Sequence, residues 1–169
     1  MNNKMIVVSV VITIISLVGC KSDQNKFVQT EFDKMQGIWT INAFSTSINL
    51  TDSLKNTLKN GKMLFNKCVY DKKSFDKNAG CNGDFQINEL FYDLSYSYNS
   101  TSKIYPLRLG PVDPLRKPVI ITPGTEQYKV LQLMNGDWEF VATDNTLTAK
   151  QVKNTFSPNI QVSFTATRK

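Results

Sequence analysis

The chain contains no histidine. That absence removes the side chain that titrates near neutrality, and with it the commonest general base and a common metal ligand. Cysteine is nearly as scarce, with Cys20, Cys68 and Cys81 making three. Cys68 or Cys81 as a nucleophile would lack a histidine base, and a metal site built on the two would lack further ligands. No Gly-x-Ser-x-Gly elbow, phosphate-binding glycine loop or carboxylate-rich cluster occurs. Asp71, Asp76, Asp84 and Glu89 lie in lysine-rich or loop surroundings and read as solvated surface carboxylates. The expectation is a protein that is not an enzyme, with no cofactor and no metal.

Charge is present in excess of one sign. Lys and Arg number 20 against 14 Asp and Glu, a formal net charge of +6. The basic residues are scattered and carry no aromatic-and-basic pattern, so no nucleic-acid partner is expected. They fit a solvated face or attraction to anionic lipid and glycan.

What is present begins at the amino end. Lys4 is the one charge before position 20, and residues 5–18 form an uncharged run of 14, rich in Val and Ile. That is the length of a signal-peptide core, whereas a membrane-spanning helix needs about 20 residues. Leu17-Val18-Gly19-Cys20 follows it. These four residues resemble the lipobox of bacterial lipoproteins. The resemblance implies cleavage before Cys20, a thioether-linked diacylglycerol on its thiol, and a fatty acyl chain such as palmitate on its freed amine. Two or three chains, at about 0.8 kcal/mol per buried methylene, make a stable anchor. Residues 1–19 are then the signal peptide, and residues 20–35 a lipidated tether with a short helix or turn. Residues 36–169 are one folded domain. By resemblance to the sorting rules of enteric lipoproteins, Lys21 in place of Asp after the acylated position implies the outer membrane, so the expected place is the outer membrane or cell surface of a Gram-negative bacterium. Once Lys4 is removed with the signal, the net charge falls from +6 to +5. Cys68 and Cys81 remain, an even number in an exported chain, which predicts one disulfide around a polar loop.

The exported part changes period along its length. Gly37-Ile38-Trp39 opens a strand, with Trp39, Ile41 and Ala43 expected on one face. Leu50, Leu54 and Leu58, with Thr51 or Asp52 as cap and Gly61 as stop, predict one short helix. Residues 62–70 predict a strand, and residues 104–109 another. Tyr92, Leu94, Tyr96 and Tyr98 alternate with Asp93, Ser95, Ser97 and Asn99. Residues 110–124 hold Pro111, Pro114, Pro118 and Pro123, which exclude a continuous central strand and make a candidate lid or partner surface. Residues 128–134, Asn135-Gly136 and residues 137–143 read as a hairpin with a type I′ turn. Residues 146–152 and 159–167 finish the chain, the latter with Ile160, Val162, Phe164 and Ala166 on one face. No internal repeat is evident.

Many short strands joined by turns predict an all-β, antiparallel up-and-down barrel of about eight strands, since closure removes exposed edges. Phe32-Asp33 followed by Gly37-Ile38-Trp39 resembles the opening of lipocalins, where a short helix leads into a Gly-x-Trp first strand. The wider layout resembles bacterial lipocalin-like lipoproteins. The resemblance implies a lipocalin-like barrel, closed by Arg168 packed on Trp39. Such a barrel either fills with side chains or holds one small ligand. Trp39, Tyr92, Tyr96, Tyr98, Trp138 and Phe140 are the candidate lining of a small, hydrophobic ligand site. The competing expectation is a filled barrel that serves an envelope protein partner. Asp52-Ser53-Leu54 also resembles an O-glycosylation sequon of exported bacterial proteins, and helix capping explains it equally well.

Overall fold

The structure is a computed structural model, and it describes residues 25–71 and 80–168. Cys20, the signal segment 1–19 and the tether 20–24 lie outside the described residues, as does most of the loop between Cys68 and Cys81. Eight strands close into one antiparallel barrel in chain order. They are β1 (Gly37–Thr46), β2 (Lys62–Phe65), β3 (Cys81–Ile87), β4 (Leu90–Tyr96), β5 (Tyr105–Val112), β6 (Gly136–Ala142), β7 (Thr146–Asn154) and β8 (Val162–Arg168). The expected up-and-down barrel is therefore the fold. Three helices stand among the described residues: α1 (25–35), where a short helix or turn is expected, α2 (Asp52–Leu58), the expected helix of the barrel domain, and α3 (Glu126–Met134), which is not expected.

Connectivity sorts these parts between the two barrel ends. α1 precedes β1, and its side chains meet the 66–71 segment and the loop after β4. It lies at the end where odd-numbered strands begin. α2, between β1 and β2, lies at the opposite end, and buries Leu54 and Leu58 there. Thr51 caps α2, its hydroxyl accepting the Leu54 N–H.

The alternation along each strand turns one face inward. Ile160, Val162, Phe164 and Ala166 are all buried, as are Tyr92, Leu94 and Tyr96. Ala43 is not, because the β1–β8 register shifts between Ile41 and Ala43. The extra residue of that bulge carries Ala43 out to solvent, against the expectation that it shares the Trp39 face. The 62–70 strand ends early at Phe65.

The largest departure is the expected hairpin around Asn135-Gly136. Residues 126–134 are helix, and Asn135 sits at φ −75°, ψ 123°, an extended conformation outside the left-handed region a type I′ turn needs. Two signals outweighed the alternation. Glu, Gln, Lys, Leu and Met are good helix formers. Val130, Leu133 and Met134 also fall at helical spacing and are buried, behind the Thr125 cap that accepts the Tyr128 N–H.

α3 packs where the barrel wall is thin. β5 pairs with β6 only through Tyr105–Trp138, Pro106–Asp137 and Leu107–Gly136. Beyond that seam the Asn135 side chain takes the place of a strand, its Oδ1 accepting the Leu109 N–H. Pro111 stands in β5 opposite Tyr92, yet does not interrupt the ladder. Its carbonyl accepts the Val119 N–H at 3.0 Å, so its backbone polar positions face the side β6 has left.

Candidate functional site

A short motif recurs at the two tryptophans. Met35-Gln36-Gly37-Ile38-Trp39 follows α1, and Met134-Asn135-Gly136-Asp137-Trp138 follows α3. In both copies the indole N–H turns back and donates to the methionine carbonyl, at 2.8 Å for Trp39 and 3.0 Å for Trp138. In both, the residue across the ladder donates to the carbonyl one position earlier. Arg168, opposite Trp39, donates to Lys34 at 2.6 Å. Gln151, opposite Trp138, donates to Leu133 at 2.9 Å. The Arg168 guanidinium also lies 4.4 Å from the centre of the Trp39 ring, a cation–π contact at the α1 end.

The last four carbonyls of a helix have no partner within the helix. Those of α3 are all matched. Leu131 accepts the Asn135 N–H, Gln132 the Asn154 amide, Leu133 the Gln151 amide and Met134 the Trp138 indole. Among the described residues, Asn135, Gln151 and Asn154 are the buried polar side chains, and all three serve this junction. Sequence reasoning missed all three. The recurrence of Met-x-Gly-x-Trp was the available signal.

Of the six expected lining residues, Tyr96, Tyr98, Trp138 and Phe140 join one ring-packed cluster through Phe65, Tyr105 and Phe164, while Tyr92 packs on Phe85 and Trp39 lies under Arg168. Trp39, Tyr92, Tyr96, Trp138 and Phe140 are buried, while Tyr98 is half-buried at the α1 end. Trp138 stacks on Phe140, with ring centres 5.9 Å apart and planes 3° from parallel. Phe164 leans on both, Phe65 meets Tyr96 and Phe140 edge-on, and Tyr105 meets Phe140 and Tyr98. The buried phenols find partners within the chain. The Tyr92 hydroxyl reaches the Gln127 carbonyl at 3.4 Å, Tyr96 the Asn66 carbonyl at 3.4 Å, and Tyr105 the Glu31 carboxylate at 3.2 Å. Burial raises the pKa of all three above the usual tyrosine value, with the carboxylates of Glu126 beside Tyr92 and Glu31 beside Tyr105 adding to it.

Cys68 and Cys81 are joined by a disulfide, with Cα atoms 5.5 Å apart. Gln29 of α1 secures the same segment, donating to the Cys68 carbonyl and accepting the Tyr70 N–H. Ser53 is exposed on α2, where Thr51 provides the cap, so Ser53 has no capping role.

Two features mark the outer surface. A groove of about 590 Å³ crosses the wall where Ser45, Ser163, Lys150 and Glu139 lie in one row across β1, β8, β7 and β6. The second is the proline-rich segment 113–125, a strap from β5 to α3. Asp113 folds its start into a tight turn, accepting from Lys117 and Arg116 and donating to the Lys117 carbonyl. Arg116 then reaches the barrel wall, 2.8 Å from Asp84 and 3.2 Å from Asp93. Those two carboxylates face each other across β3 and β4, a repulsive pair that the guanidinium bridges. Asp84 is thus an ion-pair partner, not a free surface carboxylate. Leu115, within that turn, is 76% exposed, and Ile120, beyond the clamp, is 99% exposed.

Among the described residues, no group of three or more His, Cys, Asp or Glu could hold a metal ion. Compared with family models, curated proteins and solved structures, the chain matches none.

Proposed function

We propose that the chain is a lipid-anchored envelope lipoprotein of a Gram-negative bacterium, at the outer membrane or cell surface, whose filled barrel works through its outer surface on a protein partner. The observation that carries this reading is the interior. Tyr96, Tyr98, Trp138 and Phe140 of the expected lining pack ring against ring with Phe65, Tyr105 and Phe164, and the buried phenols of Tyr92, Tyr96 and Tyr105 are partnered within the chain. An eight-stranded barrel is just wide enough for side chains to fill it. The strap supports the same reading from outside. It is held by Asp113 and Arg116, stiffened by prolines, and presents Ile120 to solvent. A preordered apolar segment binds at low entropic cost, which suits an apolar pocket on a partner. The lipobox supports the anchor.

The small-ligand reading keeps one observation in its favour: a closed eight-stranded barrel is also the size that encloses one small molecule. A photoreactive residue at Ile120, used in cells beside a control at Thr148, separates the two. A discrete crosslinked protein from Ile120 alone is the expected result. No crosslink, together with a stoichiometric small-molecule adduct in native mass spectra of the mature chain, would move the function inside the barrel.

A further inference from the structure

The α1 end of the barrel carries exposed apolar and basic side chains side by side. In α1, Val28, Phe32 and Met35 face the core, which turns Phe27 outward, 43% exposed, with its ring against Tyr98. Val69, beside the disulfide, is 69% exposed at the same end. Lys26, Lys67 and Lys103 are exposed in α1, in the 66–71 segment and in the loop between β4 and β5. The acidic groups nearby are largely engaged. Glu31 pairs with Lys34 at 2.6 Å and accepts from Tyr105, and Asp33 accepts from Gln29 at 2.8 Å.

For a chain anchored at Cys20, length favours the α1 end as the one nearer the membrane. Five residues of advance separate Cys20 from residue 25, the first of α1. An extended chain covers that in about 18 Å at most. A strand of the length of β5 is about 27 Å long and, at the roughly 40° tilt of barrel strands, raises the strap end about 20 Å above the α1 end, so the α1 end is the one the tether holds nearer.

We infer that the α1 end is a docking surface for an anionic lipid bilayer, with Phe27 and Val69 entering the interface and Lys26, Lys67 and Lys103 meeting lipid phosphates. The inference rests on acylation of Cys20 for the membrane's proximity. The contact itself rests on the juxtaposed apolar and basic groups. Aromatic and aliphatic side chains gain by leaving water at the headgroup boundary. Lysine stems extend along it and place the ammonium among the phosphates. Each lysine near an anionic surface strengthens partition roughly fivefold. The docked end leaves the strap facing away from the membrane.

The test uses the acylated chain, extracted from membranes and reconstituted into vesicles of phosphatidylcholine with phosphatidylglycerol and a brominated lipid. Bromine quenches tryptophan only at short range. Against the unsubstituted chain, Phe27→Trp should add quenchable emission, and Ile120→Trp should add emission that is not quenched. The quenching should weaken when phosphatidylglycerol is left out or when Lys26, Lys67 and Lys103 are changed to Gln together. Quenching at Ile120→Trp, or none at Phe27→Trp in a vesicle-bound chain, would overturn the docking surface. A bare intact mass at Cys20 would overturn the anchor instead. Residues 21–169 mixed with the same vesicles then still decide the docking surface, by sedimenting with anionic and not with neutral lipid, or with neither.

Discussion

Gly37 and Gly136 hold the same place in their two motifs, yet each is glycine for its own reason. Gly37 has φ +124°, a conformation that side-chain-bearing residues rarely adopt. Gly136 has no such angle. A Cβ there would run into the Lys153 carbonyl oxygen and crowd the Gln151 amide, which caps α3. Alanine at Gly37 is therefore opposed by backbone strain, on the order of 1–3 kcal/mol. Alanine at Gly136 is opposed by overpacking of similar size, roughly 1–3 kcal/mol. Urea unfolding should show both losses. Hydrogen exchange should separate them, with protection falling at the end of α3 in Gly136→Ala and at the start of β1 in Gly37→Ala. Gly136→Ala at wild-type stability would mean that the backbone there has room to move.

At the scale of elements, the junction from α3 to β6 is where the molecule spends buried polar groups. Gln151→Ala removes the donor to the buried Leu133 carbonyl, and Asn154→Ala the donor to the part-buried Gln132 carbonyl, each leaving a helical carbonyl unmatched. Each loss should cost about 1–3 kcal/mol in chemical denaturation. The two side chains also bond to each other at 3.1 Å, so the double variant should lose less than the two single losses together. Strict additivity would mean that they act separately. This junction also marks the limit of what the sequence makes legible. Strands with one buried face, such as Val162–Arg168, were readable because alternation and burial agree. Residues 128–134 alternate as well, but their helical spacing and the Thr125 cap compete locally with that pattern, and packing against β5 and β7 decides. The aromatic set at the site was legible as inward-facing residues. Whether such residues line a space or fill it depends on cross-barrel distances that periodicity does not carry. The Arg116 clamp joins residues from three separated segments and left no local trace.

For the whole molecule, the decisive property is whether the barrel interior is dry. Tyr92, Tyr96 and Tyr105 are held neutral, chiefly by burial, above the ordinary tyrosine value of 10.0. Below about pH 10 the folded and unfolded chains both keep these protons, so their contribution to stability does not change. Above it the unfolded chain releases them and the folded chain does not. The unfolded state then binds fewer protons, and stability must fall as pH rises. The melting temperature should therefore decline from about pH 10 upward. Ultraviolet absorbance near 295 nm should show these three phenols ionising only together with loss of the fold, in one cooperative and slow step. A barrel with a water-filled or ligand-sized interior predicts otherwise. Its phenols would ionise gradually near pH 10, while circular dichroism still reports an intact barrel. That second outcome would remove the packed interior on which the protein-partner reading stands, and would return the six aromatic residues to the role of ligand lining.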